Sequence, residues 1–222
     1  MAIGTALTLT GALPASGSPG TAEAQVGVAA SEAQRPFTGD TVLATSDTVA
    51  AGVDEVELAD GRKLMGLREV KGSWVASVTA DGKGRFTWGS GIAVPALGTT
   101  AASGASSTAA QRAVCSLLVD NVRVETGQLR SNTLVTCSNY GTIQTTAQFR
   151  RSSYRGFLNF GASTTSGVAS GTQQDLFWNI NCREGGGTYD YQLRARSVTS
   201  TAGTSAYYAS NTANRYNCGT GP

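Results

Sequence analysis

The sequence predicts an all-β protein: an antiparallel β-sandwich in the C-terminal half, preceded by a small β-hairpin subdomain and a flexible N-terminal arm. Three observations predict this class. Charged residues are only 14% of the 222 residues, which disfavours long exposed helices. Short runs alternate apolar and polar side chains with a period of two, as in strands with one buried face. Turn sequences rich in Gly, Asp and Asn separate these runs.

Residues 1–24 are interpreted as a truncated signal peptide. The apolar stretch 3–13 is followed by Ala22-Glu23-Ala24, which fits the signal-peptidase rule. The first basic residue is Arg35, so the usual positive region is missing, and an Ala-rich leader is the alternative. The stretch is shorter than the roughly 20 apolar residues that span a bilayer. We therefore expect a secreted, extracellular protein without a membrane span.

Composition divides the rest of the chain into four segments. Residues 25–40 lack a hydrophobic period, which predicts a flexible arm. Residues 41–94 contain hairpin patterns, and residues 95–112 are mainly Gly, Ala, Ser and Thr, which is typical of a linker. Residues 113–222 are about as long as one β-sandwich domain. The sequence therefore predicts two modules joined by a linker.

Two hairpins are expected in the first module. The first joins 53–58 to 62–70 through Asp60-Gly61, and Asp-Gly favours the positive φ of tight hairpin turns. The second places Trp74 and Ala76 on one face, where Phe86 or Trp88 can cover them as cross-strand partners. A subdomain this small is marginally stable alone, so we expect a partner surface to cover its tryptophans.

Seven strand candidates fill the second module. In the fifth and sixth candidates, apolar side chains alternate with Asp, Asn, Gln and Arg, as in strands with one wet face. A turn at 184–187 separates these two, which predicts that they form a central hairpin. The seven candidates are 115–125, 132–138, 142–150, 154–160, 174–182, 188–198 and 204–210.

The four cysteines all lie in the second module, and an even number in an exported chain indicates two disulfides. We expect Cys115–Cys137 and Cys182–Cys218, because these pairs join sequence neighbours. The alternative is the nested pairing of Cys115 with Cys218 and Cys137 with Cys182.

The absence of histidine removes the usual base of Ser and Cys hydrolases and the common His-containing zinc and haem sites. We recognise no catalytic residue constellation, metal site or cofactor motif in the sequence, so we expect a protein that is not an enzyme. The less favoured alternative is a small hydrolase that uses Asp175 and Asp190, which could face each other from neighbouring strands.

Charge differs between the two halves of the chain. Ten arginines, no lysine and five acidic residues give residues 112–222 a net charge of +5. No basic run or RNA-binding signature is present, so nucleic acid is not an expected partner. The densest positive group is Arg150, Arg151 and Arg155, which favours an acidic partner.

A second candidate surface is rich in tyrosine and asparagine. Aromatic rings flanked by amides suit sugars, and they equally suit protein interfaces. A carbohydrate or cell-wall binding module is therefore the alternative function. Its candidate residues are Tyr140, Tyr207, Tyr208, Asn211 and Tyr216.

Two segments carry a resemblance to known proteins. They are Leu176-Phe177-Trp178-Asn179-Ile180-Asn181-Cys182 and Tyr189-Asp190-Tyr191-Gln192-Leu193-Arg194-Ala195. In these two segments, the second module resembles small exported two-disulfide β-sandwich proteins of actinobacteria. In size, export, β architecture and free arm, the chain is more loosely similar to the adaptor subunit of umbrella toxin particles, which bridges a trypsin-like subunit to the large toxin.

The leading functional expectation is a secreted, non-enzymatic binding or adaptor protein in an extracellular protein assembly, and the resemblance implies an antibacterial toxin particle. The expected partner-binding residues are Trp74, Trp88 and the arm segment Arg35, Pro36 and Phe37. An extended arm can add a strand to a partner's sheet edge. A trypsin-like partner, which the resemblance implies, would take Arg35 in its specificity pocket, and Pro36 would oppose cleavage.

Overall fold

A computed structural model describes residues 39–90, 92, 94, 96–98, 113–182, 188–210 and 215–218, and antiparallel strands make up most of these described residues. The prediction of an all-β antiparallel fold is confirmed. One 3-10 turn is present at Leu67–Glu69. The strands are β1 (Thr41–Thr45), β2 (Glu55–Glu57), β3 (Lys63–Met65), β4 (Ser73–Val78), β5 (Gly84–Gly89), β6 (Val114–Val119), β7 (Arg123–Glu125), β8 (Gln128–Ser153), β9 (Gly156–Asn159), β10 (Thr164–Thr165), β11 (Ala169–Asn181), β12 (Thr188–Thr199), β13 (Gly203–Thr204), β14 (Tyr208–Ala209) and β15 (Arg215–Asn217).

The large sheet runs in the order β1-β4-β5-β6-β8-β12-β13. Strands β7, β9, β10 and β11 also pair with β8, and β14 and β15 pair with β12. The long strand β8 thus organises the sheet. It merges two of the predicted strand candidates, and odd-numbered residues from Leu129 to Cys137 and from Ile143 to Phe149 are buried along it.

Strand β8 bends between these two buried runs, and the sheet folds over itself as a sandwich. At the bend the pairing with β11 jumps, because Gly171 lies opposite Gly141 whereas Gln173 lies opposite Thr136. A Cβ on Gly141 would lie 2.5 Å from Ser200 Oγ, so a larger residue would clash there. Face-to-face contact between β5 and β13, which are distant in the sheet order, shows in the bond from Trp88 Nε1 to Gly203 O at 3.3 Å.

The two segments predicted as separate modules share one sheet and one core. Strand β5 pairs with β6 over six residue pairs, from Gly84 opposite Val119 to Gly89 opposite Val114. Phe86 and Trp88 belong to the same buried cluster as Leu117, Val135 and other residues of the second segment. The partner surface that the sequence required for the tryptophans is therefore supplied by the same chain.

The two predicted hairpins of the first segment form as expected. Strand β2 pairs with β3 across the turn that contains Gly61, whose φ is +79°. Strand β4 pairs with β5, with Trp74 opposite Trp88. Arg62 attaches the β2–β3 hairpin to the sheet, because its guanidinium donates to Gly82 O at 2.8 Å and to Ala209 O of β14 at 3.4 Å.

Both expected disulfides form. Cys115 and Cys137 lie directly opposite each other on β6 and β8, with their Cα atoms 4.0 Å apart. Cys182 follows β11 and bonds Cys218, which follows β15, with a Cα separation of 4.6 Å. The nested alternative is excluded. Each bridge closes a loop for which chain-entropy estimates give about 3–4 kcal/mol of stabilisation.

The predicted central hairpin of the fifth and sixth strand candidates is wrong. Among the described residues, β11 and β12 do not pair with each other. Strand β11 pairs with β8 from Gln128 to Thr136 and again from Gly141 to Ile143, and β12 pairs with β8 from Ile143 to Arg151. The two strands lie on opposite edges of β8, because Ile143 pairs with Ala169 of β11 and also with Thr199 of β12. The predicted turn at 184–187 lies outside the described residues.

Candidate functional site

The hairpin of β8 and β9 ends in an exposed aromatic and basic turn. Ser153 Oγ donates to Gly156 O at 2.8 Å and accepts from the Arg155 N–H at 3.1 Å, which closes a two-residue loop. This places Tyr154 at the tip with 90% of its surface exposed, and Leu158, which lies opposite Arg151 in the same hairpin, is 48% exposed. Tyr154 and Leu158 therefore project apolar surface into solvent.

Arginines stack on aromatic rings around this turn. The guanidinium of Arg155 lies 5.1 Å from the Tyr154 ring centre, and that of Arg151 lies 4.9 Å from the Tyr189 ring centre. In the described part of the chain, neither arginine has a carboxylate within 4.0 Å. We call Arg151, Tyr154, Arg155, Leu158 and Tyr189 the tip cluster.

A second group of arginines lies on the outer face of β8 and β12, opposite the core. Gln192 pairs with Arg150 in the ladder and Arg194 pairs with Gln148, so Arg150 and Arg194 are diagonal neighbours. Arg196, further along β12, forms an ion pair with Glu69 at 3.1 Å. We call Arg150, Gln192, Arg194 and Arg196 the outer arginine face.

Burial shapes the electrostatics of this face. It lowers the pKa of the Arg150 guanidinium, and the positive charge of Arg194 lowers it further, while Glu55 opposes the shift. Burial also lowers the pKa of Arg194, against opposing effects of Tyr207 and Glu55. The two cations are thus partly desolvated and close enough to repel each other.

A half-open cleft of about 520 Å³ lies between β11, β8 and the segment before β11. Its floor is apolar and its rim carries hydroxyl and amide groups, with no charged residue among those that line it. The Trp178 indole in its wall already donates to Thr133 Oγ1 at 2.8 Å. The lining includes Phe149, Leu176, Trp178, Ile180, Thr165 and Asn179.

The two tryptophans expected to bind a partner are core residues, which corrects that prediction. Trp88 is 0% exposed and Trp74 is 6% exposed. Phe86 packs on both rings at centroid distances of 5.7 and 6.1 Å. Both tryptophans are therefore covered by the sandwich and present no surface to a partner. Arg35, Pro36 and Phe37 of the expected docking arm lie outside the described residues.

The structure does not bring the tyrosines of the carbohydrate alternative together. Tyr140 lies at the bend of β8 and is 76% exposed. Tyr208 is fully buried and its hydroxyl donates to Ser77 O at 2.9 Å, while burial raises its pKa. Tyr207 stacks between Arg194 and Arg196, and the Tyr216 hydroxyl donates to Val122 O. Asn211 lies outside the described residues.

Asp175 and Asp190 do not form the carboxylate pair of the hydrolase alternative. Asp175 lies opposite Leu134, on the side of β11 that faces away from the core. Asp190 lies opposite Arg215, on the outward side of β12. Because β11 and β12 lie on opposite edges of β8 and do not pair with each other, the arrangement on neighbouring strands that the sequence predicts for the two carboxylates does not form.

We expect Asp175→Asn and Asp190→Asn each to change the free energy of unfolding by about 0.5 kcal/mol or less, as surface substitutions do. Urea unfolding followed by circular dichroism measures this change. A loss of 2 kcal/mol in either variant would show a structural role that these positions do not suggest. A hydrolytic activity abolished in both folded variants would support the hydrolase alternative instead.

The tip cluster was only partly anticipated from the sequence. Arg151 and Arg155 belong to the dense positive group, whereas Tyr154, Leu158 and Tyr189 were not singled out. The sequence feature that indicates an exposed tyrosine is the segment Ser153-Tyr154-Arg155-Gly156 between two strand candidates, because such a turn exposes its central side chains.

The described part of the chain contains no helix long and apolar enough to cross a bilayer. Within the same residues, no three Cys, Asp or Glu side chains are grouped as metal ligands. Comparison with protein-family models, with curated proteins and with solved structures gives no match to this chain.

Proposed function

We propose that this chain is a secreted, non-enzymatic binding protein that acts as an adaptor in an extracellular protein assembly, with the tip cluster as its docking surface. The observation that carries the proposal is the exposure of Tyr154 and Leu158 between arginines that have no carboxylate partner among the described residues. Tyr and Arg are the residue types enriched at interface hot spots.

The two disulfides support the extracellular location in this proposal. Disulfides of this kind persist in oxidising environments and fit an extracellular protein. Secretion through the segment 1–24 is part of the proposal.

The tip cluster favours an acidic protein surface as the partner. An exposed aromatic ring and an aliphatic side chain provide apolar contact area. The guanidiniums of Arg151 and Arg155, which have no carboxylate partner among the described residues, provide bidentate donors for carboxylates. The carbohydrate alternative has less support, because its tyrosines are divided between the core and separate parts of the surface.

An adaptor needs a second contact, and we assign it to the arm. The proposal for Arg35, Pro36 and Phe37 rests on the sequence: an extended segment can add a strand to a partner's open edge. Separate contacts through the arm and the tip cluster would let one chain link two proteins. The antibacterial toxin particle remains the assembly that the resemblance implies.

Co-purification from the culture supernatant of the producing organism tests the docking surface. We expect the Tyr154→Ala, Arg155→Ala double variant to recover about tenfold less partner than the unaltered protein, because hot-spot truncations cost about 2 kcal/mol or more. Tyr140→Ala is the control, since Tyr140 is also an exposed tyrosine but lies within β8, away from the β8–β9 turn. Deletion of 25–37 in the same assay tests the arm.

Undiminished recovery by the double variant would contradict the tip cluster as the docking surface. Loss in Tyr140→Ala, together with binding to purified cell wall rather than to a defined protein, would favour the carbohydrate alternative. Recovery of the same proteins after deletion of 25–37 would remove the arm from the proposal.

A further inference from the structure

We propose that Arg150 and Arg194 on the outer arginine face form a binding site for a phosphate group. This site is separate from the tip cluster and does not depend on the proposed adaptor function. It lies where β8 and β12 pair, beside the β2–β3 hairpin. No sequence motif predicts a phosphate site at this position.

The ladder between β8 and β12 places Arg150 and Arg194 on the same face of the sheet as diagonal neighbours. Residues directly opposite each other point to the same side of the sheet, so Arg150 shares a side with Gln192, and Arg194 with Gln148. Alternate residues of β12 also share a side, which puts Arg194 next to Gln192. The core residues Phe149 and Leu193 occupy the other side, so both arginines face outward.

Only neutral protein groups accept hydrogen bonds from these two arginines in the described part of the chain. Arg150 donates to the Gln192 side-chain oxygen at 3.5 Å and to the Phe157 carbonyl oxygen. Arg194 contacts Met65 Sδ at 2.9 Å. The Nε atoms of Arg150 and Arg194 are both buried without a partner. Two half-buried cations therefore lack both a counter-charge and a full set of acceptors.

The nearby acidic residues are already engaged. Glu55 and Glu57 lie within 4.0 Å of Lys63 Nζ, with the Glu55 contact at 2.8 Å, and Glu69 pairs with Arg196. Glu55 is the acid whose charge raises the pKa of Arg150 and Arg194, but among the ion pairs of the described residues it pairs with Lys63 and with neither arginine. The positive charge of the pair is therefore left for a ligand from outside.

The chemistry of the pair favours a phosphate. Two adjacent guanidiniums carry two positive charges and present several planar N–H donors, which match the charge and the oxygens of a phosphate dianion. A single carboxylate supplies one charge and two oxygens, and would leave one cation uncompensated. Phosphate binding would relieve the repulsion and the desolvation cost that lower the pKa of both arginines.

Titration of the full chain with inorganic phosphate, at ionic strength held constant with sodium chloride, tests the site. We expect saturable shifts of the Arg150 and Arg194 Nε–H signals in nitrogen-15 NMR spectra. Arg194→Gln and Arg150→Gln should each weaken phosphate binding about tenfold, because each removes a charge-assisted contact. Arg123→Gln is the matched control, since Arg123 is paired with Glu125 and Asp120, and it should bind as the unaltered protein does.

The NMR measurement on the unaltered protein decides the matter even if a variant fails to fold. Absence of saturable Nε–H shifts would overturn the proposal, as would equal phosphate affinity in folded Arg194→Gln. A parallel titration with acetate tests the ligand class. We expect acetate to shift the Nε–H signals no more than sodium chloride does at the same ionic strength. Acetate binding as tight as phosphate binding would overturn the assignment to phosphate.

Discussion

Replacement of Trp88 by alanine is expected to lower the free energy of unfolding by about 3–5 kcal/mol. Trp88 is fully buried, lies opposite both Trp74 on β4 and Cys115 on β6, and donates its indole N–H to Gly203 O on the other layer of the sandwich. The substitution therefore leaves a cavity at the centre of the core and removes a hydrogen bond between the two layers. Urea unfolding followed by far-ultraviolet circular dichroism measures the loss.

Tyr140→Ala is the control for this measurement, because its side chain is 76% exposed. We expect that change to alter the free energy of unfolding by about 0.5 kcal/mol or less. A loss of less than 1 kcal/mol in the free energy of unfolding of Trp88→Ala would contradict the burial of Trp88 in the core. It would favour instead the partner-binding role that the sequence predicts for this residue.

The segment 113–222 is expected not to fold alone, although its length and two disulfides match those of an independent sandwich domain. Without residues 41–90 the edge of β6 loses its pairing with β5 over six residue pairs. The core also loses Phe86, Trp88 and Leu64, all fully buried in the whole chain. Each large core side chain contributes about 2–5 kcal/mol, so the loss of three is comparable with the whole stability of a typical domain, about 5–15 kcal/mol.

Amide NMR spectra and thermal unfolding of the isolated segment, with both disulfides verified by peptide mapping, check this expectation. The full chain is the reference and should show dispersed signals and a cooperative transition. The isolated segment should show narrow dispersion and no cooperative transition. A dispersed spectrum with cooperative unfolding would mean that the second segment carries a sufficient core of its own.

Local patterns in the sequence determined the strands, two of the turns and the disulfide pairs. Alternation with a period of two marked which side of β11 and β12 faces the core, because successive side chains of a strand point to opposite faces. The Asp60-Gly61 turn and the Trp74–Trp88 pair follow from short-range geometry, and Cys115 and Cys137 are close in sequence. Each of these features depends on residues a short distance apart in the chain.

Only the tertiary structure decided what those strands pair with, and hence where any site lies. The pairing of β5 with β6 buries Trp74 and Trp88, and the long strand β8 separates β11 from β12, which places Asp175 and Asp190 on strands that do not pair with each other. The same strand β8 brings Arg150 beside Arg194. Non-local pairing leaves no mark on local periodicity, because an alternating strand presents the same pattern to every possible neighbour.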